Sequence, residues 1–213
     1  MQRRMTRTRI SKQEKERFRR LIERHFDELY EYAARELRYL EALGALAPGA
    51  VTPAEVINEA VIAAWDMWRT RRGKQRATVS GRTLLYSAVR RALATLARQY
   101  QMTSGDISIE DVLVDPEADQ QLWAYWEPDD VTTFEDIIPD EEHESTEEEA
   151  LEEIEVEEAE ALLNQLPPLQ RQAFILHAIH GLPLEETARL LNTSIQAVQK
   201  AVQEARQQLK QVG

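Results

Sequence analysis

A run of cations between Arg69 and Arg98 is the feature of this chain best suited to chemistry with a polyanion. It holds nine basic residues and no acidic one: Arg69, Arg71, Arg72, Lys74, Arg76, Arg82, Arg90, Arg91 and Arg98. Such side chains bind phosphate oxygens and release the counterions around them, so the run indicates a contact with nucleic acid. Solvated surface arginines are the alternative, and the lack of acidic residues among them favours nucleic acid.

Aromatic residues lie in and beside the same run. Trp68, Tyr86 and Tyr100 offer flat faces on which unstacked bases could pack. Burial in a protein core is the alternative, and for each aromatic taken singly it is the favoured interpretation.

A second candidate for DNA contact lies near the C-terminus. The small residue Ala188 suits a close crossing of two helices, Asn192 suits a left-handed turn, and Ser194 suits the cap of the next helix. Apolar residues spaced for a shared core surround them, namely Leu184, Leu191, Ile195, Val198 and Val202. The pattern predicts a helix-turn-helix, which presents its second helix to a DNA major groove.

Helices are predicted to position both candidates. Apolar periodicity predicts a first helix over 16–41, followed by a loop over 44–51. The sequence Thr52-Pro53-Ala54-Glu55 predicts the start of a second helix, because it combines a cap, a first-turn proline and a capping-box glutamate. Outer faces of this helix would carry Glu55, Asn58, Glu59, Ile62 and Asp66, and a third helix is predicted over 83–99.

A compact helical domain is predicted from about residue 148 to the end of the chain. Its first helix would pass through Leu162, Leu163 and Leu166, and Pro167-Pro168 would start the next one. That second helix has apolar positions at Leu169, Ala173, Leu176 and Ile179 and would end at Gly181. The fold class is therefore all-α: two small helical domains joined by a long acidic, largely disordered linker, with a C-terminal helix-turn-helix.

Charge divides the chain in the same places. Residues 1–105 hold 21 basic and 11 acidic residues, residues 106–160 hold 24 acidic and no Lys or Arg, and residues 161–213 hold 5 basic and 3 acidic. The net charge of −12 thus belongs to the middle of the chain. We divide the sequence into a basic tail (1–15), an N-terminal helical domain (16–105), an acidic linker (106–147) and the C-terminal domain (148–213).

Several functional classes are excluded or disfavoured by composition. There is no cysteine, so disulfides and thiolate sites are excluded. His177 and His180 meet no zinc signature and are interpreted as structural. We see no catalytic constellation and expect neither an enzyme nor a cofactor or metal. No apolar run is long enough to cross a membrane, and no secretory signal is evident, so we expect no membrane insertion and a cytoplasmic location.

Two stretches identify a family. The segment Glu55-Val-Ile-Asn-Glu-Ala-Val-Ile-Ala-Ala-Trp65 resembles the polymerase-clamp-binding helix of small, two-domain sigma factors of bacterial RNA polymerase, the extracytoplasmic-function type. Residues 166–176 and 181–188 resemble the opening of that family's second domain, and residues 84–93 are similar to its minus-ten-reading helix.

The resemblance implies a non-catalytic protein that binds core RNA polymerase and directs it to promoter DNA. By it, Glu55, Asn58, Glu59, Ile62 and Asp66 would face the polymerase. The minus-ten DNA would contact the basic residues Arg69, Arg71, Arg72, Lys74, Arg76, Arg82, Arg90 and Arg91. The minus-thirty-five element would contact the third helix of the C-terminal domain through Ser194, Gln196, Ala197, Gln199, Lys200, Gln203 and Arg206.

The chain departs from the family's pattern in its third C-terminal helix. Gln199, Ala201 and Glu204 stand where the family usually has cations, so fewer phosphate contacts are expected there. Arg91 and Thr95 also replace the Asn and Asp common in the minus-ten-reading helix. Glutamines can still pair with adenine in the major groove. The alternative function is a sigma-like interaction module, which binds an anti-sigma partner or the polymerase without reading promoters.

The acidic linker is too polar to bury a core. It contains two similar segments, 109–115 and 134–140, and an aromatic cluster at Leu122-Trp123-Ala124-Tyr125-Trp126 that suits docking on a groove. In the family this region threads the RNA exit channel. A fold-back onto the basic half of the chain and a passive spacer are the alternatives.

Overall fold

The computed structural model describes residues 12–70, 80–100 and 159–212 and contains no β-strand in these ranges. The N-terminal unit consists of α1 (Lys12–Ala42), α2 (Pro53–Thr70) and α3 (Gly81–Tyr100). The C-terminal unit begins with helical residues 159–164 and continues with α4 (Pro168–Ala173), α5 (Leu184–Leu190) and α6 (Ile195–Val212). Between α4 and α5 the chain forms a π-helical segment, Phe174–Ile179, which continues directly from α4. The acidic linker and the basic tail lie outside the described residues.

The N-terminal unit is a packed three-helix arrangement in which α2 lies against both α1 and α3. The apolar side of α2 faces the core, with Val56 and Ala64 fully inaccessible and Trp65 and Trp68 half-buried. The predicted capping box is confirmed: the backbone N–H of Thr52 donates to Glu55 at 2.7 Å, and the Glu55 N–H donates to the Thr52 hydroxyl at 3.3 Å. These reciprocal bonds satisfy donors that a helix start otherwise leaves unpaired.

The helix-turn-helix of the C-terminal unit is confirmed in its details. Gly181 has a φ of 65°, which only a residue without a Cβ adopts easily, and Asn192 has a φ of 47° in the turn between α5 and α6. The Ser194 hydroxyl accepts the N–H of Ala197 at 3.1 Å and caps α6. Ala188, Val198 and Val202 are buried where the two helices pack.

The prediction of burial is wrong for two apolar residues, Ile179 and Ile195. Ile179 is 43% exposed, because the π-helical segment widens the helix and turns His180 into the interior instead. Ile195 is 40% exposed, because it is the first residue of α6 and lies at the end of the helix.

The two units are packed against each other. One continuous apolar core includes residues of α1, α2 and α3 together with residues of α4, α5 and α6. A smaller cluster holds Leu163, Leu166 and Ala205 within the C-terminal unit. The division of charge along the sequence gave no indication of this contact between the units. In the parts of the chain that are described, no helix has both the length and the apolar character needed to cross a bilayer.

Candidate nucleic-acid and polymerase interfaces

The outer face of α6 is a polar surface on a well-packed helix. Val198, Ala201, Val202 and Ala205 are buried and fix one side of α6 against the rest of the C-terminal unit. The opposite side is exposed at spacings of three and four residues. It carries most of the residues predicted for the recognition helix: Gln196, Gln199, Lys200, Gln203 and Arg206. Of the other two, Ser194 is exposed before the helix and serves as its cap, and Ala197 is half-buried.

The electrostatics of this face differ from those expected from the sequence. Glu204 accepts a hydrogen bond from the Gln170 amide at 2.9 Å and lies 3.6 Å from the Lys200 ammonium, so its carboxylate is occupied within the unit. Ala201 is buried, so its lack of a positive charge removes no phosphate contact from the surface. The outer face of α6 therefore presents mainly side-chain amides, together with the cations Lys200 and Arg206. Side-chain amides are suited to hydrogen bonding with the edges of bases.

The arginines of α3 lie in a different setting. Arg82 donates through Nη2 to the carboxylate of Glu28 at 2.6 Å and to the backbone carbonyl of His180 at 2.5 Å. Arg90 donates to the backbone carbonyl of Leu190 and, at 3.3 Å, to the side-chain amide oxygen of Gln172. Both arginines are half-buried and are held by groups from other helices. Although the run itself contains no acidic residue, Arg82 has an acidic partner, Glu28, from a distant part of the sequence.

The remaining cations predicted for minus-ten DNA fall into two groups. Arg69 lies at the end of α2, 43% exposed and 3.7 Å from Asp66, and Arg91 is half-buried on α3. The residues of the loop lie outside the described ranges: Arg71, Arg72, Lys74 and Arg76.

The aromatics near these cations belong to the core, as favoured. Tyr86 is fully buried, and burial raises its pKa to about 12. Trp68 is half-buried, with its ring centroid 5.7 Å from that of Phe18. Neither ring is placed to stack on a base, and the side chain of Tyr100 lies outside the described residues.

The outer face of α2 carries the residues predicted to contact the polymerase. Asn58 and Glu59 are exposed, and Ile62 is an exposed apolar residue at 37%. Glu55 has a structural role as well: its carboxylate accepts the Thr52 N–H, a bond that lowers its pKa below the usual range. Asp66 is 26% exposed and pairs with Arg69. Of the five, Asn58, Glu59 and Ile62 form the accessible surface.

Residues 157–209 match the family model described as Sigma-70, region 4. The matched range includes α4, α5 and most of α6, with the helix-turn-helix and the exposed face of α6. The match shows that the C-terminal unit is similar to region 4 of the sigma-70 family. No curated protein and no solved structure matches it significantly. A region 4 implies, in general, an interaction with RNA polymerase and promoter DNA.

The histidines in and directly after the π-helical segment, His177 and His180, contact protein groups. His177 lies with Nδ1 2.7 Å from the carbonyl oxygen of Leu182. The His180 ring is 5.5 Å from the rings of both Tyr32 and Tyr86. Burial and the nearby Arg35 guanidinium lower the pKa of His180 to about 4, so it is neutral near pH 7.

Sequence reasoning missed the polar residues between the units. Arg171 and Glu36 form a fully buried ion pair at 2.7 Å, and the Arg171 guanidinium carbon lies 3.8 Å from the Tyr39 ring centroid. Glu160 pairs with Arg38 at 2.5 Å and lies 3.4 Å from Arg35. A signal was present for Glu36, which falls between Ala33 and the later apolar positions on the buried side of α1.

Proposed function

We propose that this protein is a sigma factor of the two-domain, extracytoplasmic-function type: it binds core RNA polymerase and directs transcription initiation from specific promoters. The observation that carries the proposal is the exposed amide-rich face of α6, presented by a capped helix-turn-helix inside the range that matches region 4. The proposed role is non-catalytic, needs no cofactor and is exercised in the cytoplasm.

The proposed promoter contact of α6 relies on its glutamines. Gln196, Gln199 and Gln203 lie at spacings that bring them to one side of the helix, and glutamine pairs with adenine through two hydrogen bonds. Lys200 and Arg206 supply phosphate contacts that position the helix. We therefore expect a minus-thirty-five element recognised by base edges more than by charge.

The proposed polymerase contact is the outer face of α2. Glu59 and Asn58 project from a helix whose other side is fixed in the core, and Ile62 adds an apolar patch beside them. An exposed apolar residue with polar residues around it matches the arrangement of a protein interface, in which an apolar centre has a polar rim. The resemblance of residues 55–65 to the clamp-binding helix supports this assignment.

Binding to core polymerase tests the α2 assignment. Glu59→Arg should weaken co-purification with core polymerase at least tenfold, because a reversed charge opposes complementary electrostatics. The matched control is Asp27→Arg, the same charge change at an exposed position of α1. Equal binding by wild type and Glu59→Arg would remove the α2 assignment.

The second candidate is a sigma-like interaction module that binds an anti-sigma partner or the polymerase without reading promoters. One observation favours it: Arg82 and Arg90, two of the cations assigned to minus-ten DNA, are held by other parts of the chain. Under this alternative the wild type binds core polymerase but starts no transcript.

A further inference from the structure

Ile195 is an apolar residue that the fold leaves on the surface of the C-terminal unit. It is the first residue of α6, and its side chain is 40% exposed. A single exposed apolar side chain is common on protein surfaces and needs no function to explain it. The position of Ile195 on α6, more than its exposure, therefore decides what this side chain can do.

Ile195 lies at the N-terminal end of the amide-rich face of α6. Gln199 is four residues further along the helix and Gln203 is eight, and both are exposed. Residues four apart on an α-helix lie one above the other on the same side. Val198 and Val202, on the opposite side, are buried. The outer face of α6 thus begins with an apolar group and continues with side-chain amides.

The backbone around Ile195 is held by hydrogen bonds on both sides. The Thr193 N–H donates to the carbonyl oxygen of Ala188 at 2.9 Å, which closes the turn before α6. Ser194 accepts the Ala197 N–H through its hydroxyl at 3.1 Å and the Val198 N–H through its carbonyl, also at 3.1 Å. A β-branched isoleucine has one strongly preferred χ1 rotamer in a helix. The apolar group is therefore held in a defined place before any partner binds.

The chemistry of the DNA major groove supplies one apolar group at the base edges, the 5-methyl group of thymine. The second helix of a helix-turn-helix contacts base edges with its N-terminal residues, so Ile195 lies at the end that enters the groove. One turn of α-helix rises about 5.4 Å, which places Ile195 and Gln199 within reach of neighbouring base pairs. Glutamine pairs with adenine, so the two side chains together match adjacent A·T pairs.

The surroundings of Ile195 favour a small apolar partner over a protein surface. Its exposed neighbours in the chain are Asn192, Ser194 and Gln196, all of them polar, and Gln199 follows on the same face. The apolar area is therefore that of one side chain, far below the contiguous patch that marks a protein-binding site. A methyl group flanked by hydrogen-bonding base edges has the same composition.

We propose that Ile195 is a specificity-determining residue of α6, which contacts the 5-methyl group of a thymine beside an adenine bound by Gln199. The proposal rests on the proposed function, since it concerns the helix assigned there to the minus-thirty-five element. It adds a selection for thymine to the selection for adenine by the glutamines. The element then contains thymine and adenine in adjacent base pairs.

The thymine methyl group can be removed from DNA without any other chemical change. Short hairpin duplexes of alternating A·T pairs offer thymine in every register, and the same hairpins made with deoxyuridine lack only the methyl groups. The full chain is compared with Ile195→Ala. The matched control is Ile179→Ala, the same truncation at an exposed isoleucine outside α6. A fluorescence titration gives the affinity of each chain for both hairpins.

We expect the wild type and Ile179→Ala to bind the thymine hairpin about fourfold more tightly than the uracil hairpin, the change that burial of one methyl-sized group produces. Ile195→Ala should bind both hairpins equally. Any effect of the methyl groups on the shape of the duplex is common to the three chains. Such an effect therefore cancels when the ratios of affinities are compared.

A thymine preference that persists in Ile195→Ala would overturn the proposal, and so would equal binding of the two hairpins by the wild type. An absence of duplex binding by every chain would overturn it together with the assignment of α6 to promoter DNA. The polymerase assay with Glu59→Arg is independent of these results, so failure of this proposal is distinguishable from failure of the polymerase assignment.

The same residue can be tested in the complex with core polymerase. Templates with a randomised upstream element are transcribed, and the templates that yield transcripts are sequenced. Those used with the wild type should share a thymine beside an adenine, and those used with Ile195→Ala should retain the adenine and lose the thymine. Gln199→Ala should have the reverse effect, because it removes the amide that pairs with adenine. Equal thymine frequencies for wild type and Ile195→Ala at every position would overturn the proposal.

Discussion

The exposed face of α6 and the cationic face of α3 were both assigned to DNA, yet the structure leaves the first open and covers the second. On α6, Lys200 contacts Glu204 of its own helix, and the amides around it face outward. On α3, Arg82 and Arg90 donate to carbonyl oxygens of the C-terminal unit. The difference teaches that clustered positive charge in a sequence locates a polyanion-binding surface only when the rest of the fold leaves that surface free.

The largest expected effect comes from removing the buried charge pair Glu36–Arg171, which joins α1 to the C-terminal unit. Glu36→Ala leaves the Arg171 guanidinium buried without its carboxylate, which costs about 3–5 kcal/mol of folding free energy. Urea unfolding of the full chain measures the loss. Glu23→Ala is the control, because its partner Arg19 is solvent-exposed and the pair is worth about 0–1 kcal/mol. Similar losses for the two variants would contradict the importance of the buried pair.

The next effect is a loss of stability below neutral pH that depends on His180. Its pKa is about 4 in the folded chain and near 6.5 when exposed, so the unfolded or separated state binds more protons between these values. Stability therefore falls as the pH is lowered from about 6.5 towards 4. The groups facing the ring are Arg35, Arg82, Glu28 and the two tyrosines Tyr32 and Tyr86.

His180→Gln isolates this contribution. The variant should show a shallower fall in the free energy of unfolding over that pH range, because it has no group to protonate at this position. His177→Gln makes the same substitution at the neighbouring histidine and is the matched control. Identical profiles for His180→Gln and wild type would show that other groups cause the acid sensitivity.

A smaller effect concerns the open face. Gln199→Lys adds a cation at an exposed position of α6, and it should raise duplex affinity and steepen its dependence on salt by about one unit of the log–log slope. Gln208→Lys adds the same charge at an exposed position about two and a half turns further along α6, on the opposite side of the helix. A fluorescence titration across salt concentrations compares the two, and equal slopes would show that the predicted face does not meet DNA.

The smallest expected effect concerns the start of α6. Ser194→Ala removes the oxygen that accepts the Ala197 N–H and should cost about 1 kcal/mol of stability. Ser194→Asp retains a capping oxygen and should stay near the wild type in thermal unfolding. Equal melting temperatures for the alanine and aspartate variants would show that the Ser194 cap does not stabilise α6.

The sequence predicted what depends on neighbours in the chain. The capping box at Thr52, the left-handed Asn192 and the cap at Ser194 each involve residues within three positions, and all are confirmed. The periodicity that buries Val198 and Val202 also determines which side of α6 is exposed, so the recognition face followed from it.

What depends on distant residues could not be predicted. Arg82 is bound by a carbonyl 98 positions away, and Arg90 by one 100 positions away, so no local pattern reveals either partner. The π-helical segment brings His180 inward and exposes Ile179. Apolar periodicity is read with the period of an ordinary α-helix, so it could not predict this change. The charge pattern correctly located cations, but it could not show which of them the fold would occupy.

Transcription in vitro tests the central claim, that this is a promoter-directing sigma factor, most directly. Core polymerase supplemented with the full chain should produce discrete run-off transcripts from a subset of genomic fragments, and Gln199→Ala with Gln203→Ala should reduce or redirect them through the loss of base-edge contacts. Glu185→Ala should leave the transcripts unchanged. Polymerase binding by the full chain without a transcript from any fragment would contradict the claim and leave the interaction module as the account of this protein.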